Sequence, residues 1–339
     1  MAERKPLHRY LLVASLALLL TGAGAALLWS RYQQFLHTPL EIPAGGHVFV
    51  VAPGSTGFDI VRQLAEQGLT RQGWEWRVLM RLEPHLYRSG EYQLAAGMGP
   101  RQALEELASG RVIQYRLTLV EGWTFAQVAD LLDRNEVLAH RFELVDPDQW
   151  AGVLSALDLE HPEGWFLPET YQFTRGDSDL DILERAHRSM RAELDRAWAS
   201  RDGDLPLETP YELLILASII EKETGLEEER ERIAGVFTRR LKKGMRLQTD
   251  PTVIYGLGDG FDGDIRRRDL QTDTPYNTYT RHGLPPTPIA MPGRASLQAA
   301  AHPADGETLY FVANGNGGHT FSVTLEEHQA AVNRLLGRQ

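Results

Sequence analysis

The chain has 339 residues, a net charge of −11 and no cysteine, with 42% hydrophobic and 24% charged residues. That length and balance suit two globular domains with room for a small third module. The lack of cysteine excludes disulfides and thiolate chemistry. The acidity argues against non-specific nucleic-acid binding, which needs a basic surface to displace counterions from phosphates.

The chain opens on Tyr10 to Trp29, "YLLVASLALLLTGAGAALLW", 20 residues without a charge. A helix of about 20 residues spans a bilayer core of roughly 30 Å. Arg4, Lys5 and Arg9 precede the stretch and Arg31 follows it. That bias predicts a cytoplasmic N-terminus and an exported body. Tyr10 and Trp29 stand where interfacial aromatics belong. A cleaved signal peptide, with "GAGAA" as its small-residue site, is the competing reading. The apolar run is long for a signal core and continues through Leu27, Leu28 and Trp29, so an uncleaved anchor is expected.

Residues 30–46 read as a connector, with Pro39, Pro43 and the pair Gly45–Gly46. A weak internal repeat follows. Val48 to Leu69, "VFVVAPGSTGFDIVRQLAEQGL", and Tyr115 to Leu138, "YRLTLVEGWTFAQVADLLDRNEVL", share a β-rich run, a glycine (Gly54, Gly122), a threonine (Thr56, Thr124) and an apolar-periodic segment. Strand, turn and amphipathic helix are predicted for both. Between them, "SGEYQLAAGMGPRQALEELASGR" adds a strand and a helix. The pattern is ordinary α+β patterning or a small LysM-like carbohydrate-binding module.

Residues 139–205 read as mostly helical, broken by the aromatic segment "HPEGWFLPETYQF". Its Trp165, Phe166, Tyr171 and Phe173 suit either core packing or sugar stacking. Thr209–Pro210 reads as an N-cap and first helical position, for a helix running to Thr224 and stopped by Gly225. A charged amphipathic helix, Glu227 to Lys242, is ended by Gly244. From Gln248 to Gly293 the chain is rich in turn residues, a pattern that is usually functional where it is ordered. "LYFV", "ANGNGG" and "HTFSV" predict a β-hairpin. Thr324 and Glu327 form a capping box for a last helix to about Leu336.

The helix ending "LILASIIEKETG" poses a chemical question. Its residues Leu213 to Ile220 are apolar round nearly the whole circumference, as in a buried helix, yet it ends on Glu221 and Glu223. Two residues apart on a helix, these point roughly 200° from each other and cannot act as a pair. A carboxylate at the mouth of a buried helix loses hydration, and its pKa rises. That would keep it protonated near neutral pH, as a general acid requires. The bland reading is that both acids merely leave the core and pair with Lys222 or Arg230. The helical wheel does not choose between Glu221 and Glu223.

"ASIIEKET", "RLKKGMRLQTDPTVIYGLG", "TPYNTYTRHGLPPTPIAMPG", "AAAHP" and "LYFVANGNGGHTFS" together resemble the YceG-like (MltG) family of endolytic murein transglycosylases. The resemblance covers essentially the whole chain, more loosely in the N-terminal module. It implies an α+β chain: cytoplasmic residues 1–9, a transmembrane helix at 10–29, a connector at 30–46, a LysM-like glycan-binding region at 47–138 and a catalytic domain at 139–339. It implies that Glu223, the second Glu of the E-K-E-T motif, is the catalytic residue. The implied reaction cuts peptidoglycan between N-acetylmuramic acid and N-acetylglucosamine and leaves a 1,6-anhydro end. The implied setting is the inner membrane, single-pass, with the catalytic domain outside the cytoplasm. Peptidoglycan synthases are the implied partners and termination of nascent strands the implied role.

That chemistry accounts for a lone acid. A hydrolase commonly needs two carboxylates. In the lytic reaction the sugar's own C6 hydroxyl is the nucleophile, so one glutamate serves as acid and then base. Gln248, Asp250, Asn277 and Tyr279 are candidates to hold sugar amides and hydroxyls, and Tyr255, Tyr276 and Trp165 to pack on apolar sugar faces. No cofactor and no metal are expected, because His282, His302, His319 and His328 show no ligand spacing. His302 and His319 either shape the cleft or hydrogen-bond locally. The alternative from another class is a non-catalytic, membrane-anchored glycan-binding scaffold in which Glu223 is structural.

Overall fold

The computed structural model describes residues 6–337. It is a mixed helix and sheet fold, divided into two compact units at the junction of Tyr115 and Arg116.

The first unit begins with α1 (Pro6–His37). Its span Arg9–His37 is long and apolar enough to cross a membrane. The helix does not stop at Trp29. It runs through residues expected to form the connector, because Tyr32, Phe35 and Leu36 form an apolar stripe that packs into the unit's core. Phe35 meets Trp76 edge-on, with ring centroids 5.1 Å apart.

The strand β1 (His47–Val51) pairs antiparallel with β2 (Gly90–Leu94), Phe49 opposite Tyr92. Phe49 and Val51 point inward while Val48 and Val50 are exposed, the period-2 alternation of a half-buried strand. Three helices cover this hairpin-like pair: α2 (Gly57–Glu66), α3 (Trp74–Leu82) and α4 (Pro100–Ser109). Thr56 caps α2 reciprocally with Asp59.

The second unit carries β3 (Tyr115–Thr118), which pairs with β4 (Thr170–Phe173), and α5 (Phe125–Asp133). Gly54 and Gly122 both take positive φ, 78° and 76°, which glycine adopts without steric cost. Each copy of the sequence repeat is thus a strand, glycine turn and helix. The copies lie in different units and pair with different strands. After α6 (Trp150–Leu157) the segment "HPEGWFLPETYQF" leads into α7 (Asp179–Ser200). Phe166, Tyr171 and Phe173 in it are core residues.

The helix α8 (Pro210–Glu223) is capped by Thr209 and Glu212. It is enclosed by α7, α9 (Glu227–Lys242) and α12 (Arg294–Ala301). Every residue from Leu213 to Ile220 is buried, and each large aliphatic side chain contributes about 1.5–3 kcal/mol by leaving water. Its end differs from the expectation. Gly225 does not supply a left-handed cap; Thr224 is extended at φ −147°, and its hydroxyl accepts the Leu226 N–H at 3.0 Å. Gly244 does close α9 in the left-handed region, at φ 62°.

The turn-rich stretch hides two short helices, α10 (Asp250–Leu257) and α11 (Arg267–Gln271). Strands β5 (Tyr310–Ala313) and β6 (His319–Ser322) form the expected hairpin with Phe311 opposite Phe321. The last helix, α13 (Leu325–Leu335), carries the expected Thr324–Glu327 capping box.

Candidate active site

The end of α8 separates its two glutamates completely. Glu221 turns into the protein, where its Oε2 accepts the Gly293 N–H at 2.9 Å and Arg230 lies 3.9 Å from Oε1. Glu223 turns the other way, into a cleft of about 580 Å³ in the second unit. The wheel could not choose between them because it has no neighbours on it; the packing of the α12 N-terminus against Glu221 makes the choice.

The cleft walls come from several elements. Leu247, Gln248 and Asp250 arrive from the segment entering α10, Tyr279 from the loop beyond α11, and Tyr310 to Ala313 and His319 from the hairpin. Leu325, His328 and Val332 of α13 close one side. Arg240 of α9 holds two of these walls together. Its Nε donates to the Leu309 carbonyl and its Nη1 to the Leu247 carbonyl, each at 2.7 Å.

Of the candidate binding residues, Gln248, Asp250 and Tyr279 do join Glu223 in the cleft. Gln248 is exposed and sits at φ 50°, a backbone conformation that costs a side-chain-bearing residue about 1 kcal/mol or more and clusters at functional sites. Asp250 Oδ1 accepts the Tyr279 hydroxyl at 2.6 Å.

Asn277 does not face the cleft. It is buried, and its amide donates to the carbonyls of Asp269, Leu270 and Thr272 while its Oδ1 accepts the Tyr279 N–H at 2.9 Å. It shapes the loop that presents Tyr279, and it has no group left for a sugar. The expected sugar-stacking aromatics are also elsewhere. Tyr255 donates to Glu163 and packs on Tyr276, and Trp165 stacks on Tyr211. The apolar wall beside Glu223 is Tyr310, Phe311, Val312, Leu325 and Val332.

The YceG-like family model matches residues 49–334. The chain belongs to the YceG-like family. It is 33% identical over 266 residues to an endolytic murein transglycosylase of Bacillus subtilis (strain 168), covering 74% of this chain and 73% of that one. It is 26% identical over 332 residues to an endolytic murein transglycosylase of Streptococcus pneumoniae, covering 87% of this chain and 60% of that longer one. A YceG-like protein from Listeria monocytogenes, solved as a crystal structure, superposes with a TM-score of 0.51 at 30% identity, over 84% of this chain and 98% of its own.

Within the cleft, electrostatics mark Glu223. Burial pushes its carboxyl up to about 7, and the Asp250 charge adds to the rise. The Thr249 hydroxyl, which donates to Oε1, opposes it, as do His319 and Arg240. A carboxyl poised near 7 is protonated in a large fraction of molecules at neutral pH, and its conjugate base is strong enough to take a proton back. The cleft therefore presents one tunable acid, a second carboxylate already held by a phenol, and a mixed polar and apolar floor.

Sequence reasoning missed Glu229, Arg240, Thr249 and the α13 wall. Thr249 sits in the motif "RLQTDPT" between two candidates, so its place was within reach. Glu229 and Arg240 read as ordinary charges on an amphipathic helix. Glu163 was missed as well. It is 3% exposed, accepts the Phe125 N–H and the Tyr255 hydroxyl at 3.0 Å each, and burial pushes it up to about 8. It lies outside the cleft and braces the start of α5 against α10.

Proposed function

We propose that this chain is an endolytic peptidoglycan lytic transglycosylase, a lyase that cuts the bond from N-acetylmuramic acid to N-acetylglucosamine, with Glu223 as its acid and base. The observation that carries this is the Glu223 carboxyl, poised near 7 at the end of a buried helix and open to the cleft, in a chain whose family relatives carry that activity in their names.

One carboxyl accounts for both proton transfers. Protonated Glu223 gives its proton to the glycosidic oxygen as the bond to C1 breaks, and the leaving sugar departs with the bonding pair. The positive charge that develops on the muramic ring is quenched when its C6 oxygen donates a pair to C1. The C6 hydroxyl proton passes to the Glu223 carboxylate, which restores the acid. No water is consumed, so no second catalytic base is required. Asp250, tied to Tyr279, contributes charge that helps hold the Glu223 proton, and in this reading Gln248 and Tyr279 hold sugar substituents.

The helix Arg9–His37 serves as an uncleaved single-pass anchor, with the basic N-terminus cytoplasmic and the catalytic domain outside the inner membrane. LysM-like glycan binding is assigned to residues 47–138, a region that the unit boundary after Tyr115 divides, and catalysis to residues 139–339, where the whole cleft lies. Cutting within nascent strands beside peptidoglycan synthases would end their polymerisation.

Mass spectrometry of products from purified glycan tests the reading. Fragments ending in 1,6-anhydro-muramic acid are expected. Reducing ends heavier by one water would make the protein a hydrolase. Intact strands would make it a non-catalytic scaffold.

A further inference from the structure

A second acid–base pair stands on the same cleft. His319 opens strand β6 and lines the cleft with Glu223. Its backbone N–H donates to Glu229 Oε1 at 2.7 Å, and its ring Nδ1 lies 2.6 Å from Glu229 Oε2. Glu229 is only 7% exposed. Its Oε2 also lies 3.5 Å from the hydroxyl of Thr224, the residue after Glu223. One buried carboxylate thus links the end of α8 to the first residue of the hairpin.

The arrangement is built rather than incidental. A Cβ placed on Gly318 would come within 2.8 Å of Glu229 Oε1, so a side chain there would displace the carboxylate from the hairpin backbone. Phe311 meets the His319 ring edge-on at 5.3 Å, and Phe321 lies 6.4 Å away. The ring is pinned on both aromatic neighbours and one carboxylate. The charged groups around it are Glu229 and Arg232 of α9, the latter over the Phe321 ring at 3.9 Å, and Glu223 and Arg240 across the cleft.

The protonation pattern follows. Burial pushes Glu229 up, but its bonds to His319 outweigh that and leave it below the usual carboxylate range, so it is an ionised acceptor at neutral pH. An ionised acceptor requires Nδ1 to carry the proton. In the neutral ring Nε2 is then the nitrogen that keeps its lone pair, on a side chain that lines the cleft. A ring held in one tautomer, in one orientation, beside the proposed acid offers a hydrogen-bond acceptor where the reaction needs one.

Resting on the proposed lytic reaction, we propose that His319 is a further catalytic residue and Glu229 its positioning residue: Nε2 accepts the hydrogen bond of the muramic C6 hydroxyl and holds O6 beside C1, and the hydroxyl then turns its proton from Nε2 to the Glu223 carboxylate as O6 bonds to C1. His319 itself gains and loses no proton over the cycle. Its contribution is orientation of the internal nucleophile, the step that separates closure to an anhydro ring from attack by water.

The test uses the full chain in detergent, with release of anhydro-ended fragments as the rate. His319→Ala is expected to lower turnover by about 10²-fold, the scale of a misplaced reacting group, with glycan binding close to wild type and a lower melting temperature, because the buried Glu229 loses its ring partner. Glu229→Gln is the sharper variant. Its amide oxygen must stay with the His319 backbone N–H, so its NH₂ group faces Nδ1 and drives the proton to Nε2. The cleft-facing atom becomes a donor, and turnover is expected to fall on a similar scale. Histidine-selective ¹⁵N NMR of the wild type should show His319 protonated at Nδ1, and of Glu229→Gln at Nε2. His302→Gln serves as control, since His302 pairs with Asp202 and Ser200 outside the cleft. Turnover of His319→Ala within threefold of wild type, or a wild-type ring protonated at Nε2, would overturn the inference. A dead Glu223→Gln beside an active His319→Ala sinks this inference alone; an active Glu223→Gln sinks the lytic reading beneath it.

Discussion

The Tyr279 hydroxyl donates to Asp250 Oδ1 at 2.6 Å, joining the loop that Asn277 shapes to the first residue of α10, directly beside Glu223. This bond keeps the second carboxylate of the cleft hydrogen-bonded and in place. It leaves Glu223 as the carboxyl whose proton is free to move.

Substitution at the end of α8 should therefore be asymmetric. Glu223→Gln keeps the shape of the side chain and removes the exchangeable proton. General acid–base assistance is worth about 10²–10⁴-fold, and one residue serves both steps in the proposed reaction, so the loss should lie at or above the upper end, with folding and glycan binding retained. Glu221→Gln should keep most activity and lose stability, on the order of 1 kcal/mol, by weakening its bond to the Gly293 N–H. Rates of anhydro-product release and melting curves of the two variants decide this. A dead Glu221 variant beside an active Glu223 variant would reverse the assignment.

The pH dependence has a worked sign. In the proposed reaction catalysis starts from protonated Glu223, so kcat/KM should be level below about 7 and fall tenfold per pH unit above it. Asp250→Asn removes a negative neighbour and should move the falling limb to lower pH. Thr249→Val removes the hydroxyl that stabilises the carboxylate and should move it to higher pH. Limbs that shift together, or not at all, would show that another group controls the profile.

Arg240 should matter to both fold and activity. It is 7% exposed and ties Leu247 to Leu309 through two backbone carbonyls. Hydrogen bonds from a charged donor contribute about 1.5–3 kcal/mol each. Arg240→Met should cost a few kcal/mol by that scale and separate the Gln248 wall from the hairpin. Denaturation midpoints and turnover measured on the same preparation should fall together.

Glu163 gives a stability signature distinct from catalysis. Its carboxyl is pushed up to about 8 in the folded protein, so the native state keeps a proton that the unfolded chain has lost. Stability from this group is full below the unfolded pKa and is lost as pH rises through about 8. Glu163→Gln resembles the protonated acid. It should melt like wild type near pH 5 and above wild type at pH 9, with no change in which bond is cut. Parallel melting curves for the two proteins across that range would refute the assignment.

The anchor is checked by the mature N-terminus. Tyr10 to Trp29 should remain in the protein, with protease reaching only residues beyond Arg31 from the outer side. A mature end near Ala25 or Ala26 would instead mark a removed signal peptide.

Much of this was legible in the chain because local rules carry it. The apolar run of Tyr10 to Trp29, the caps at Thr209 and Thr324, the hairpin around "ANGNGG" and the buried circumference of Leu213 to Ile220 depend on residues near one another in sequence. Periodicity and capping chemistry act over a few residues, so they can be read without a fold. The motifs around Glu223 likewise pointed to the helix end that opens on the cleft.

What the tertiary structure alone decided was direction and partnership. Glu221 and Glu223 are equivalent on a wheel; Gly293 and Arg230, 72 and 9 positions along the chain from Glu221, capture it and leave Glu223 to the cleft. Asn277 looked like a sugar ligand by composition, yet the turn it stabilises consumes its amide. Glu229 looked like a solvated helix charge until the hairpin, 90 residues on, brought His319 against it. Residue type and spacing set what a side chain can do. Which polar groups lose their water, and which partner compensates, depends on segments distant in sequence, and only their packing settles it.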